Sequence, residues 1–207
     1  GSECVYNIFK PLAEGFEAEH PGKKINFSAP GHTASGFKGV NEGILNIGAI
    51  SSVVKPEEKQ FGLKEYWFAK DAIVFATNPG VKLKGLSLQN IRAVFYGATT
   101  NWKKLGGPDH AITVLDRADG ASTKAHLYEK AVFEKEKKIT DRAIIFERPT
   151  DMDTALASSS YSIGYTPLPA IIKDNYGLNV LELDGIAASP ENIVNGKYPL
   201  VRPMGFV

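Results

Sequence analysis

Cysteine is almost absent from this chain of 207 residues, with Cys4 the single example. No disulfide can form within the chain, and a metal site built from several thiolates is excluded. The histidines His20, His32, His110 and His126 show no metal-ligand spacing with one another, so neither a metal nor a cofactor is expected. No apolar run approaches the roughly 20 residues of a membrane-crossing helix. The start at Gly1-Ser2 shows no charged region followed by an apolar core, so the compartment is not read from a leader. An excess of charge of either sign is also lacking. Lys and Arg number 24 against 23 for Asp and Glu, a net charge of +1, which gives no argument for nucleic acid or an anionic membrane surface. A Gly-x-Ser-x-Gly elbow and a P-loop are missing too, which argues against a serine hydrolase or nucleotide hydrolase.

What is present is an ordinary globular composition, 43% hydrophobic and 23% charged, able to bury a sizeable core in one large domain or two lobes. Strand and helix patterns alternate nearly throughout, which predicts an α/β fold with largely parallel sheets. Val5, Ile8, Phe9, Leu12 and Phe16 recur at helical spacing and are stopped by Pro21-Gly22, with Pro11 expected to confine the helix to the part after it. Residues 24–28 and 44–50 read as strands and 66–78 as a long strand passing between lobes. Further helices are predicted over 86–96 behind the cap Ser87, over 150–158 and over 170–176.

The most informative stretch is Asp116-Arg117-Ala118-Asp119-Gly120-Ala121-Ser122-Thr123-Lys124. An apolar strand pattern ends in it and a helical pattern leaves it. Strand, short glycine turn and helix point backbone N–H groups and the positive end of the helix dipole at one spot, which suits an anion. Arg117 adds a planar set of charged donors, and Ser122 and Thr123 add hydroxyls. The alternative is structural, since Ser or Thr before a helix commonly serves only as its N-cap. Two more strand ends carry hydroxyl-rich turns, Thr33-Ala34-Ser35 and Ser51-Ser52. Ligands of open α/β sheets bind beyond the carboxyl ends of strands, so these turns are further candidates. His32 lies in the same loop as Thr33 and reads as a surface residue. Asp151 and Asp153 read as helix-start carboxylates.

The segments HTASGFKGVNEGILNIGAISS, FAKDAIVFATNP, LSLQNIRAVFYGATTNWKKLGG, DRADGAST, SIGYTPL and YPLVRPMGFV, in this order, resemble successive motifs of the phosphate-binding proteins of bacterial ABC transporters, in the type 2 periplasmic solute-binding superfamily. The resemblance implies a two-lobed α/β periplasmic-binding-protein-like fold with the ligand cleft between lobes, truncated at both ends. Lobe I would comprise residues 1–75 with 199–207 returning to it, and lobe II residues 76–198. It implies a monomeric extracytoplasmic or periplasmic binder, not an enzyme, that captures phosphate or a similar tetrahedral oxyanion for an ABC transporter permease. A sensor or interaction domain with altered anion binding is the alternative.

The implied ligand residues are Cys4, Val5 and Tyr6 of an opening loop, Thr33, Ala34 and Ser35, Ser51 and Ser52, then Arg117, Ala121, Ser122 and Thr123. Asp119 would orient Arg117. Two positions depart from the family pattern. Ala121 replaces a serine, and Ser52 stands where phosphate binders carry an aspartate that accepts a proton-bearing oxygen and repels sulfate.

Overall fold

The computed structural model of the chain describes residues 1–29, 31, 33–52 and 62–207; the side chains of Glu3, Cys4 and Asn7 lie outside that description, as does His32. The chain forms two compact units, Gly1–Lys70 with Arg202–Val207, and Asp71–Val201.

The first unit opens on helix α1 (Glu3–Glu19). Ser2 is its N-cap in extended conformation, and the N–H groups of Val5 and Tyr6 bond to the Ser2 carbonyl at 3.1 and 3.0 Å. The expected opening loop at residues 4–6 is therefore the first turn of a helix. Pro11 does not confine that helix, which runs through it unbroken. Residues 24–28 are not a strand; the Ile25 N–H instead bonds to the Glu17 carboxylate at 2.6 Å. Helix α2 (Thr33–Asn41) leads to strand β1, which is only Ala49–Ile50 rather than the full run from Ile44.

Two glycines set the distance between α2 and β1. A Cβ on Gly36 would come within 2.7 Å of the Ala49 carbonyl, and one on Gly48 would strike the Gly36 backbone. Only a pair without side chains lets the helix start lie directly on the strand end. Strand β2 (Tyr66–Thr77) carries the chain from the first unit into the second.

In the second unit come β3 (Gly85–Leu86), α3 (Leu88–Phe95), β4 (Thr113–Arg117), α4 (Ser122–Glu129), β5 (Ile144–Phe146), α5 (Pro149–Ser158), β6 (Ser162–Pro167), α6 (Leu168–Asp174), β7 (Asn179–Val180), β8 (Glu182–Leu183) and α7 (Pro190–Val194). Strand β9 (Val201–Phe206) returns to the first unit and pairs with β1, Ile50 opposite Gly205. The sheets are mixed rather than largely parallel. β4 is parallel to β5 and β6, and β3 to β8, but the second half of β2 is antiparallel to β6 and β7. Helical crossovers join β4 to β5 and β5 to β6, which enforces parallel order there; β2 has no such connection to β6.

The core of the second unit is an aromatic cluster. Phe75, Phe95 and Phe133 meet at centroid separations of 5.1–6.4 Å, and Tyr165 packs on all three. Trp102 is fully buried and donates its indole N–H to the Tyr161 carbonyl at 2.8 Å. Ser87 caps α3 as expected, its hydroxyl accepting from the Asn90 N–H at 3.1 Å. Ser87→Ala should lower stability by about 1 kcal/mol, read as a shift in the urea midpoint.

Candidate functional site

In the first unit the hydroxyl turns converge on Ser51. The Ser51 N–H donates to the Thr33 hydroxyl oxygen at 3.0 Å, and the Ser51 hydroxyl lies 3.3 Å from that same oxygen and 2.8 Å from the Ser2 hydroxyl. Ser2 also bonds through its N–H to the Ala49 carbonyl at 2.9 Å, so the start of α1, the start of α2 and the end of β1 are tied at one node. The Thr33 oxygen accepts from a backbone N–H, and in its contact with the Ser51 hydroxyl either oxygen can be the donor.

Ala34 and Ser35 are exposed on the first turn of α2, with Ser35 engaged in a contact of its own. Ser52 follows the node and is half-buried. Backbone donors expected from Val5 and Tyr6 are taken up by the Ser2 carbonyl inside the helix, while the Tyr6 ring packs edge-on against Phe27 at 5.0 Å. The Cys4 side chain lies outside the described residues. Ser2 is the residue that sequence reasoning missed. Its signal was available, since a serine directly before a helical pattern is a standard N-cap, although its side chain here makes no cap bond and turns to Ser51 instead.

In the second unit the strand-turn-helix layout forms as expected. β4 ends at Arg117, Gly120 takes a positive φ of 89°, and α4 begins at Ser122. The N-cap is Ala121, which has no side-chain oxygen, and no side-chain cap bond is made. Ser122 and Thr123 thus occupy the first helical positions and neither is the N-cap.

Arg117 is 7% exposed and held by carbonyls from the end of β5 and the residue after it: its Nε donates to Phe146 at 3.1 Å and its Nη2 to Glu147 at 3.0 Å. Those bonds fix one edge of the guanidinium. Nη1 makes no hydrogen bond among the described residues, so an end of the group remains to donate to an oxyanion.

Asp119 has a different partner from the one expected. It is exposed and pairs with Lys124 at 2.9 Å, while backbone carbonyls orient Arg117. Asp119 sits in the turn between β4 and α4, and Lys124, the third residue of α4, reaches it from the first turn of the helix. Lys124 Nζ also contacts Asp116 at 2.8 Å and the Arg117 carbonyl at 3.0 Å. Asp116 is fully buried and accepts in addition from the Tyr165 hydroxyl at 2.6 Å, and that hydroxyl in turn accepts from the Arg117 N–H at 3.2 Å. Burial and the neighbouring Asp116 hold the Tyr165 phenol far above its ordinary range, so it stays a protonated donor.

Asp153 corrects the reading of a simple helix-start carboxylate. It is 3% exposed, and burial pushes its carboxyl up to about 6, with the Thr166 hydroxyl and Arg117 offsetting only part of that rise. The folded state therefore holds this proton more tightly than the unfolded chain, whose value is 3.8. Stability from this group is greatest at acid pH and falls as pH rises through about 6. Asp153→Asn should flatten that slope and raise stability at pH 7.5 by about 2 kcal/mol, measured by urea unfolding between pH 4.5 and 8. Asp153 lies between Met152 and Leu156, both buried, and a carboxylate inside an apolar helical stripe was the signal for it.

Among the described residues no group of three or more His, Cys, Asp or Glu could hold a metal ion, and no helix is long and apolar enough to cross a membrane.

The family described as the PBP superfamily domain matches residues 1–207. The phosphate-binding protein PstS of Bacillus subtilis (strain 168) is 28% identical over 204 residues, covering 97% of this chain and 65% of its own length. The chain thus spans just under two thirds of that relative. The phosphate-binding protein PstS of Borreliella burgdorferi is 26% identical, covering 98% of this chain and 74% of its own. Among solved structures, an ABC transporter substrate-binding protein from Clostridium perfringens with bound phosphate superposes with a TM-score of 0.86 at 32% identity, covering 100% of this chain and 83% of its own.

Proposed function

The chain belongs to the PBP superfamily, and from that premise we propose that it is a solute-binding protein that captures a tetrahedral oxyanion, inorganic phosphate first, for uptake by an ABC transporter permease. The observation that carries this reading is the Arg117 guanidinium, tethered along one edge by two carbonyls and placed beside a helix start whose cap residue supplies no oxygen. A fixed guanidinium end beside helix N–H groups binds an oxyanion with little net charge in the rest of the molecule. The Thr33–Ser51 hydroxyls of the first unit are proposed as further oxyanion donors. The names and bound phosphate of the relatives support the choice of phosphate.

The protein works as a monomer outside the cytoplasm in this reading, binds no nucleic acid and catalyses no reaction. Calorimetry with phosphate, arsenate, sulfate and molybdate tests it, and no heat from any of the four would overturn it. Thr33→Val should weaken binding about tenfold by removing one hydroxyl donor. Unchanged affinity would take Thr33 out of the site.

A second reading, a sensor or interaction domain with altered anion binding, is favoured by Ala121 at the cap of α4 and by Ser52 in place of an acidic residue. Heat from phosphate with a dissociation constant in the millimolar range would support it over uptake.

A further inference from the structure

Two buried carboxylates lie near Arg117, and the structure treats them differently. Asp116 receives hydrogen bonds from Lys124 and Tyr165. Asp153, also buried, leaves Oδ1 without a hydrogen-bond partner among the described residues. Its helix α5 packs against β4, β5 and β6, and Gly164 on β6 makes that approach possible, since a Cβ there would come within 2.6 Å of the Met152 methyl. The groups that face Asp153 are Arg117 from β4, Thr166 from β6, Asp174 at the end of α6 and Tyr176 just beyond it; β5 carries no titratable side chain. Arg117 is the one cation among them.

A buried carboxylate with one free oxygen and an incoming oxyanion both feel the charge of the same guanidinium. We propose that Asp153 is a positioning residue that sets the charge Arg117 presents to an oxyanion, so that binding the anion draws a proton from solvent onto Asp153. Ionised Asp153 neutralises much of the guanidinium's field and repels the anion through a poorly screened interior; protonated Asp153 leaves the full charge to the ligand. Burial raises this carboxyl to about 6, so in mildly acid solution the added anion moves it further toward the protonated form. The site then binds more tightly in mildly acid solution, and it does so through a group that need not touch the ligand. This inference rests on Arg117 being the oxyanion ligand.

The test is calorimetry with inorganic phosphate at pH 6.5 in buffers of different ionisation enthalpy, for the wild-type chain and Asp153→Asn. The wild type should take up about half a proton more per phosphate than the variant, which cancels the titration of phosphate itself. Between pH 7.5 and pH 5.5 the wild-type affinity should rise about sixfold more than that of Asp153→Asn. Equal proton uptake and parallel pH profiles in the two proteins overturn the inference while leaving the oxyanion reading intact. No heat from the wild type at any pH overturns both. Should the variant fail to fold, the Asp153 carboxyl carbon can be titrated in the wild type by nuclear magnetic resonance. Its midpoint should move upward by about one pH unit on saturation with phosphate, and an unmoved midpoint counts against the inference.

Discussion

Arg117→Ala is expected to weaken phosphate binding by at least 100-fold and to bring it near the limit of calorimetric detection. Two charge-assisted hydrogen bonds from the free end of the guanidinium contribute about 1.5–3 kcal/mol each when water is excluded. The neighbouring N–H groups of α4 remain in the variant, so what is lost is the fixed charge and its planar donors. The two carbonyls that anchor the guanidinium, those of Phe146 and Glu147, lose a partner, and a modest fall in stability accompanies the loss of binding. A melting curve separates the two effects. Arg117→Lys is the sharper control. An ammonium keeps the charge but cannot hold both carbonyls and still present a second pair of donors, so it should recover less than a tenth of the lost affinity. Affinity unchanged in Arg117→Ala would show that the anion is held elsewhere.

The parts of the molecule that sequence made legible are those where one local rule acts alone. The Ser87 cap, the long apolar strand over residues 66–77 and the strand-turn-helix around Gly120 each follow from propensity and spacing over a few residues. Strand β1 shrank to two residues because Ile44 and Ile47, which look like strand core, are exposed. The antiparallel placement of β2 was hidden because alternation of elements along the chain says nothing about strands that no crossover helix joins.

At the candidate site, Arg117 and the start of α4 were legible as chemistry, but their supports were not. Orientation of Arg117 by carbonyls leaves no mark in the sequence, since every residue has a carbonyl. Asp119 was the obvious partner by residue type, yet Lys124 claims it, from its position in the first turn of α4. Asp153 and Lys124 share a lesson. A charged residue spaced with buried apolar ones, Met152 and Leu156 in one case and Leu127 in the other, is a better guide to function or structural demand than its type.

Lys124→Met is expected to cost a large part of the chain's stability. Lys124 is 6% exposed and its ammonium bonds to Asp116, Asp119 and the Arg117 carbonyl, so it ties the strand, the turn and the helix start together. Burial alone would pull its pKa down, but the two carboxylates outweigh burial and raise it above 10.5. Its stabilising contribution is therefore fully present at neutral pH and is lost only as pH climbs past that value. Lys124→Met keeps the volume and removes the charge, leaving Asp116 fully buried with only the Tyr165 hydroxyl. Breaking a buried pair from one side costs about 3–5 kcal/mol, because the remaining charge has no counter-ion. Urea unfolding should show that loss at pH 7. The double variant Lys124→Met with Asp116→Asn separates the causes: a neutral amide can still accept from Tyr165, so more than half of the lost stability should return. If the double variant is no more stable than Lys124→Met, then packing around the lysine stem, and not the stranded charge, accounts for the effect. Phosphate affinity in the double variant offers a second reading, since a turn that has lost this tie should also misplace the start of α4.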